Sequence, residues 1–195
     1  VEAVDPRDEY VAEAVKLASG DAAARADLRI VLTAMHGVGA PLTSRVLEEA
    51  GFTHVSLVAA QAEPDPDFPT VPFPNPEEAG ALDMAIEQAR AEDADLIIAV
   101  DPDADRCALA VPDPAAEAGW RPLSGDQIGC LLGEFLASRG ILGSLANSIV
   151  SSRLLARIAH AHGLVHHTTL TGFKWIARAP ELAFGYEEAI GFCPN

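Results

Sequence analysis

Apolar and polar positions along this chain follow two periods. Short apolar runs, bounded by glycine, proline or charge, predict strands at 28–33, 54–58, 96–100, 107–111, 148–151, 164–168 and 182–186. Between them, apolar residues three and four apart predict helices over about 41–50, from 76 onward, 125–139, 152–162 and 173–178. Gly51, Gly140 and Gly163 stand where helices should stop. Asn75 reads as an N-cap, Pro76 as the first helical position and Glu78 as the capping-box acid, with Leu82, Ala85, Ile86 and Ala89 on one face. Ser124 and Gln127 make a second capping box, and Ile128, Leu131, Leu132, Phe135 and Leu136 form the apolar stripe behind it. Residues 64–76 are too rich in proline for helix, and 112–122 read as a linker or hairpin. Strand–helix alternation through both halves predicts an α/β fold of two tandem three-layer domains, 1–122 and 123–195, with mixed, mainly parallel sheets. The 96–100 run, apolar throughout, fits a strand buried on both faces. No internal sequence repeat is evident.

Composition narrows the function classes. The 195 residues are 49% hydrophobic but only 6% aromatic, so Ala, Leu, Ile and Val must fill the cores. No apolar run approaches the about 20 residues that cross a bilayer. The acidic opening Val1-Glu2-Ala3-Val4-Asp5 lacks the apolar stretch of a secretory leader. Cys107, Cys130 and Cys193 show no C-x-x-C spacing, which argues against zinc and a disulfide framework and places the chain in the reducing cytoplasm. A net charge of −16 excludes a nucleic-acid partner but not a small anion held by a few converging cations.

Chemistry concentrates in four places. Asp101-Pro102-Asp103-Ala104-Asp105-Arg106 follows directly on the 96–100 strand, and α/β sheets bind ligands at the carboxyl ends of their strands. Three acids at alternate positions can aim hard oxygens at one cation, which suggests Mg²⁺, and Arg106 suits a phosphoryl group. A solvated acidic turn is the plain alternative. No glycine or closing glutamate makes the segment an EF-hand. Gly185-Tyr186-Glu187-Glu188-Ala189-Ile190-Gly191 sets two acids between glycines after a strand, fit to accept from vicinal sugar hydroxyls or simply to cap a turn. Lys174, in Thr171-Gly172-Phe173-Lys174-Trp175-Ile176, opens a short helix, the wrong end for a cation unless an anion or a proton transfer needs it; an exposed surface lysine is the simpler reading. His36-Gly37-Val38-Gly39 resembles a phosphate-cradling turn, but Leu42 replaces the third glycine. A tight turn needing positive φ explains it as well. His166 and His167 point to opposite faces of their strand, so they do not form a two-histidine metal site.

In this order, the motifs resemble those of the α-D-phosphohexomutase superfamily, over nearly the whole chain. The 101–106 segment matches its magnesium loop, 171–174 its lysine segment and 185–189 its sugar-binding loop; the 34–39 turn and the Ser124-Gly125-Asp126-Gln127 helix start are also similar. The resemblance implies a phosphoglucomutase or phosphomannomutase of four domains, of which this chain supplies the second and most or all of the third. It implies Mg²⁺ held by Asp101, Asp103 and Asp105, catalytic roles for Arg106 and Lys174, and a sugar bound by Gly185, Glu187, Glu188 and Lys174. The substrate would be glucose or mannose 1- or 6-phosphate, interconverted through a bisphosphate. No segment like the family's phosphoserine loop occurs here, so the isolated chain is expected to be inactive, or at most to bind Mg²⁺ or sugar phosphate. Ala189 stands where many relatives have serine, as in a branch that includes phosphopentomutase-like enzymes. A haloacid-dehalogenase-like phosphatase, with Asp101 as nucleophile, is the rival enzyme class.

Overall fold

The computed structural model describes residues 4–194; the acidic opening at Val1-Glu2-Ala3 and the final Asn195 lie outside them. The chain divides into two compact units, Val1–Ala104 with Leu109–Arg121, and Asp105–Ala108 with Pro122–Asn195.

The first sheet holds β1 (Arg29–Thr33), β2 (His54–Leu57), β3 (Leu96–Val100), β4 (Cys107–Pro112) and β5 (Trp120–Pro122) in the order β2-β1-β3-β4-β5. Strand β1 runs parallel to both β2 and β3. Ile30, Val31, Leu32, Ile97 and Ala99 form its buried centre. Its helices are α1 (Arg7–Val15), α2 (Ala22–Asp27), α3 (Ala40–Glu49) and α4 (Asp83–Ala91). The sequence pattern did not point to α1 and α2, and with reason. Val11 is the one buried side chain of α1, and α2 buries none, so neither carries an apolar stripe.

Helix α4 starts later than its cap signals suggest. Asn75 Oδ1 does accept from the Glu77 N–H at 3.1 Å, but this caps a turn. Gly80 then takes φ +82°, a left-handed conformation that ends any helical run. Leu82, Ala85, Ile86 and Ala89 are all buried, as expected.

The second sheet holds β6 (Ser144–Ser148), β7 (Val165–Thr169), β8 (Leu182–Glu187) and β9 (Gly191–Pro194), ordered β7-β6-β8-β9. Strands β7 and β8 are parallel to β6, and β9 is antiparallel to β8. The expected strand at 148–151 is displaced to β6. There Ser144, Asn147 and Ser148 are buried, while the apolar Ile149 and Val150 are 66% and 64% exposed. The buried polar groups are satisfied: Ser144 Oγ donates to the Pro180 carbonyl at 2.6 Å, and Asn147 Nδ2 to the Ser152 carbonyl at 2.8 Å.

The helices of this unit are α5 (Gly125–Ser138), α6 (Leu154–Ala161) and α7 (Phe173–Ile176). The Ser124–Gln127 capping box forms as read. The face of α5 differs. Leu131, Leu132 and Phe135 are exposed, and the helix buries Gly125, Ile128, Gly129, Cys130, Gly133 and Ala137 instead. Glycines four apart put bare backbone against the sheet. A Cβ on Gly129 would lie 2.3 Å from the Tyr186 ring, and one on Gly133 2.4 Å from Leu155.

The first four strands of the first sheet and the four strands of the second share one order, in which the third strand leads to the fourth through a loop. Between β3 and β4 that loop is the Asp101–Arg106 segment; between β8 and β9 it carries Glu188 to Ile190. The sequence shows no repeat, but the topology does. Among the described residues no helix is long and apolar enough to cross a membrane.

Candidate active site

The acidic loop leaves the carboxyl end of β3. Asp101 is buried, Asp103 and Asp105 are exposed, and one oxygen from each lies within 4.8 Å of the others. Ala104 takes φ +58° to turn the loop, and its N–H donates to the Asp101 carbonyl at 3.0 Å. Arg106 Nε lies 3.6 Å from Asp105 Oδ1. Three carboxylates at this spacing repel one another and match the hard oxygen donors that Mg²⁺ or Ca²⁺ prefers.

The glycine turn after β1 supports this loop rather than cradling a phosphate. Positive φ falls on Met35 (+48°) and His36 (+62°), not on Gly37. These conformations are held by a buried polar cluster. Thr33 Oγ1 donates to Gln61 Oε1 at 2.6 Å, the His36 N–H to the Gln61 carbonyl at 2.9 Å, and His36 Nε2 lies 2.8 Å from Thr70 Oγ1. Gly37 is needed for close approach, since a Cβ there would sit 2.3 Å from Pro102 Cα. The Val38 N–H donates to the Pro102 carbonyl at 2.9 Å and the Gly37 N–H to Ala34, so these amides are spent within the fold. Gly37→Ala should therefore shift the acidic loop and weaken Mg²⁺ or Mn²⁺ binding about tenfold, the effect of about 1.4 kcal/mol. Calorimetric titration measures this, and unchanged affinity would remove the turn from the site.

In the second unit the structure joins two motifs that sequence reading kept apart. The Gly172 N–H donates to Glu187 Oε2 at 3.0 Å, and Phe173 packs where a Cβ on Gly191 would come within 2.7 Å. The Lys174 segment is thus fastened to the β8–β9 loop. Lys174 itself is exposed. Glu188 is held from another side: Ser148 Oγ and Ser151 Oγ donate to its Oε2 at 2.7 and 3.1 Å. Ile190 closes the turn at φ +59° with its side chain fully buried. A β-branched residue in that conformation stores about 1–3 kcal/mol of strain, a mark of functional loops. Gly185 lies within β8, paired to Ala146 and Cys193. Its role there is packing, because a Cβ would meet Ile176 at 2.3 Å.

Behind the loop, Asp126 Oδ1 accepts from the Tyr186 hydroxyl at 2.7 Å and from the Ser152 N–H at 2.6 Å. Burial pushes the Tyr186 hydroxyl well above its usual range, with Cys130 and Asp126 adding to it. Gly125 completes the support, since a Cβ there would lie 2.0 Å from the Glu188 carbonyl oxygen. Sequence reading missed Ser148, Ser151 and Asp126 as supports. The one available signal was the Ser124-Gly125-Asp126-Gln127 segment, noted there only as a helix start.

Residues 8–115 match the family profile described as phosphoglucomutase/phosphomannomutase, alpha/beta/alpha domain II, and residues 124–194 match domain III. The chain belongs to the phosphoglucomutase/phosphomannomutase family. A probable phosphomannomutase of Haemophilus influenzae is 49% identical over 187 residues, covering 95% of this chain and 38% of the relative. A probable phosphoribomutase of Schizosaccharomyces pombe is 40% identical over 181 residues, 85% of this chain and 30% of its own length. Among solved structures, a putative phosphomannomutase from Thermus thermophilus superposes with a TM-score of 0.80 at 25% identity, covering 99% of this chain and 43% of that one. The chain therefore spans well under half of the phosphoglucomutase/phosphomannomutase relatives it matches.

Proposed function

We propose that this chain supplies the metal loop and sugar loop of a phosphosugar mutase that interconverts hexose 1-phosphate and 6-phosphate through a bisphosphate. The observation that carries this reading is the convergence of Asp101, Asp103 and Asp105 within 4.8 Å on one loop. These three would hold Mg²⁺, which when bound supplies positive charge against a transferring phosphoryl group. Arg106 adds donors for the phosphoryl oxygens. Lys174 moves the proton at the attacking or leaving hydroxyl. Glu187 and Glu188 accept from sugar hydroxyls, each keeping one oxygen tied to the fold. Cys107, Cys130 and Cys193, none of them in a disulfide, suit a cytoplasmic setting.

A pentose phosphate is the second reading. It is favoured by Ala189 in the sugar loop and by the 40% identity to a probable phosphoribomutase. The test is turnover by the intact protein on glucose, mannose and ribose 1-phosphates, with Mg²⁺ and with EDTA. Metal-dependent conversion of a hexose phosphate, fastest of the three, is expected. Faster conversion of ribose 1-phosphate would select the second reading. Conversion insensitive to EDTA would refute the metal loop.

A further inference from the structure

Charge is unevenly spread along this chain. Residues 135–180 contain Arg139, Arg153, Arg157, Lys174 and Arg178 but no Asp or Glu, although the whole chain carries 29 acids. Within that stretch a cavity of about 650 Å³ opens in the second unit, between the 147–153 turn, α6 and the edge strand β7. Arg153 and Arg157 line it from one side, His166 and Thr168 from β7. Arg29, Arg45 and Arg121 all pair with carboxylates, whereas Arg153 and Arg157 have no side-chain partner among the described residues. They stand four apart, so each repels the other along one helix face. Arg153 is also the N-cap of α6, where the helix dipole opposes a cation. Carboxylates brought against the pair relieve both costs.

An open strand edge runs beside these cations. Strand β7 lies at the end of the order β7-β6-β8-β9 and pairs with β6 alone. No proline, lysine or bulge interrupts Val165–Thr169, so it lacks the devices that usually blunt an edge. The Thr169 carbonyl accepts from the Ile149 N–H at 2.8 Å, which turns the Thr169 backbone towards β6. Alternation along the strand then turns the N–H and C=O groups of His166 and Thr168 outward. No backbone group from outside the sheet reaches them among the described residues. His166 and Thr168 are also the β7 residues that line the cavity, so unpaired main chain and unpaired cations meet on one side of the sheet.

We propose that this edge docks an extended acidic segment of a partner protein, added to the sheet alongside β7 with its carboxylates over Arg153 and Arg157. Main-chain pairing with His166 and Thr168 supplies affinity, and the charge match supplies specificity. Alternate residues of a strand share one face, so acids two apart in the partner would all point to the arginine side. A small anion would satisfy the arginines but leave the strand edge unpaired. The surface uses neither the acidic loop nor Lys174 and stands apart from the phosphosugar reading.

The test uses the 195-residue chain and a synthetic peptide of alternating glutamate and valine, followed by backbone amide shifts and amide hydrogen exchange. Saturable shifts are expected at Arg157, His166 and Thr168. Exchange should slow at the His166 and Thr168 amides and stay unchanged at His167, which already faces β6. A peptide of alternating lysine and valine should not bind. Arg153→Gln and Arg157→Gln should each weaken binding roughly tenfold, the loss of one charge-assisted contact. Both arginines are exposed, so these variants should keep the parent spectrum. Thr168→Pro removes an outward N–H and should weaken binding too; the arginine variants carry the test if it fails to fold. Absence of saturable shifts, shifts without slowed exchange at His166 and Thr168, or equal binding by the lysine peptide would overturn the proposal. Slowed exchange that grows with protein concentration and needs no peptide would give the edge to a second copy of the chain and overturn it as well. Displacement of the peptide by glucose 6-phosphate would return the arginines to the phosphosugar site, with the same consequence.

Discussion

Asp103→Asn in the intact enzyme is expected to lower turnover by about 10²–10³-fold, the usual cost of removing one electrostatic support from a developing charge, while the fold stays intact. The reason lies in where the charge sits. Asp103 is exposed, and its carboxylate is one of three within 4.8 Å. In the metal-free protein, the near-isosteric amide removes a like-charge repulsion, so stability should hold or rise slightly. With Mg²⁺ present the opposite is expected. A ligand that binds only the folded state stabilises it by about 2.7 kcal/mol at one hundred times its Kd, so Mg²⁺ should raise the melting temperature of the parent and scarcely move that of the variant. Turnover and the Mg²⁺-dependent melting shift should therefore fall together. Turnover equal to the parent would mean the loop is only an acidic turn. Asp101→Asn is a poorer test, because Asp101 is 1% exposed and its loss disturbs packing as well as charge.

What could be read from the sequence divides along physical lines. Strand β3 is apolar throughout and β1 carries Ile-Val-Leu at its centre, so both stood out at once. Strand β6 did not, because Ser-Leu-Ala-Asn-Ser buries three polar residues whose partners, Pro180 and Ser152 among them, are visible only in three dimensions. The acidic loop was legible because its three carboxylates lie within five consecutive residues. The support of Glu188 was not, since Ser148 lies 40 residues away in sequence. The His36–Gly39 turn was read correctly as tight but for an incomplete reason. Its left-handed residues are Met35 and His36, and its glycine answers to Pro102. The shared strand order then explains what motif matching leaves unexplained. Each candidate loop follows the third strand of its sheet in chain order and is gripped from the end of the first, through backbone contact at Gly37 after β1 and through serine hydroxyls at the end of β6.

The α5 helix gives the second large effect and inverts the ordinary reading of hydrophobicity. Gly129→Ala should destabilise the protein by about 1–3 kcal/mol, as overpacking of a tight core does, although alanine favours a helix interior over glycine by about 1 kcal/mol. The added methyl would fall 2.3 Å from Tyr186 Cγ and 2.5 Å from both Cδ atoms. That ring cannot retreat easily. It is fully buried, its centroid lies 6.4 Å from that of Phe184 and 6.5 Å from that of Phe192, and its hydroxyl is fastened to Asp126 at 2.7 Å. Leu131→Ala, which removes a large apolar side chain from the same helix, should change stability by no more than about 0.5 kcal/mol, because Leu131 is 61% exposed. Urea unfolding of the two variants measures the contrast. A stabilised Gly129→Ala would show that helix propensity outweighs the contact and that Tyr186 has room to move. A destabilised one should also disturb the sugar loop, since Tyr186 precedes Glu187 on β8 and shares Asp126 with the Ser152 amide.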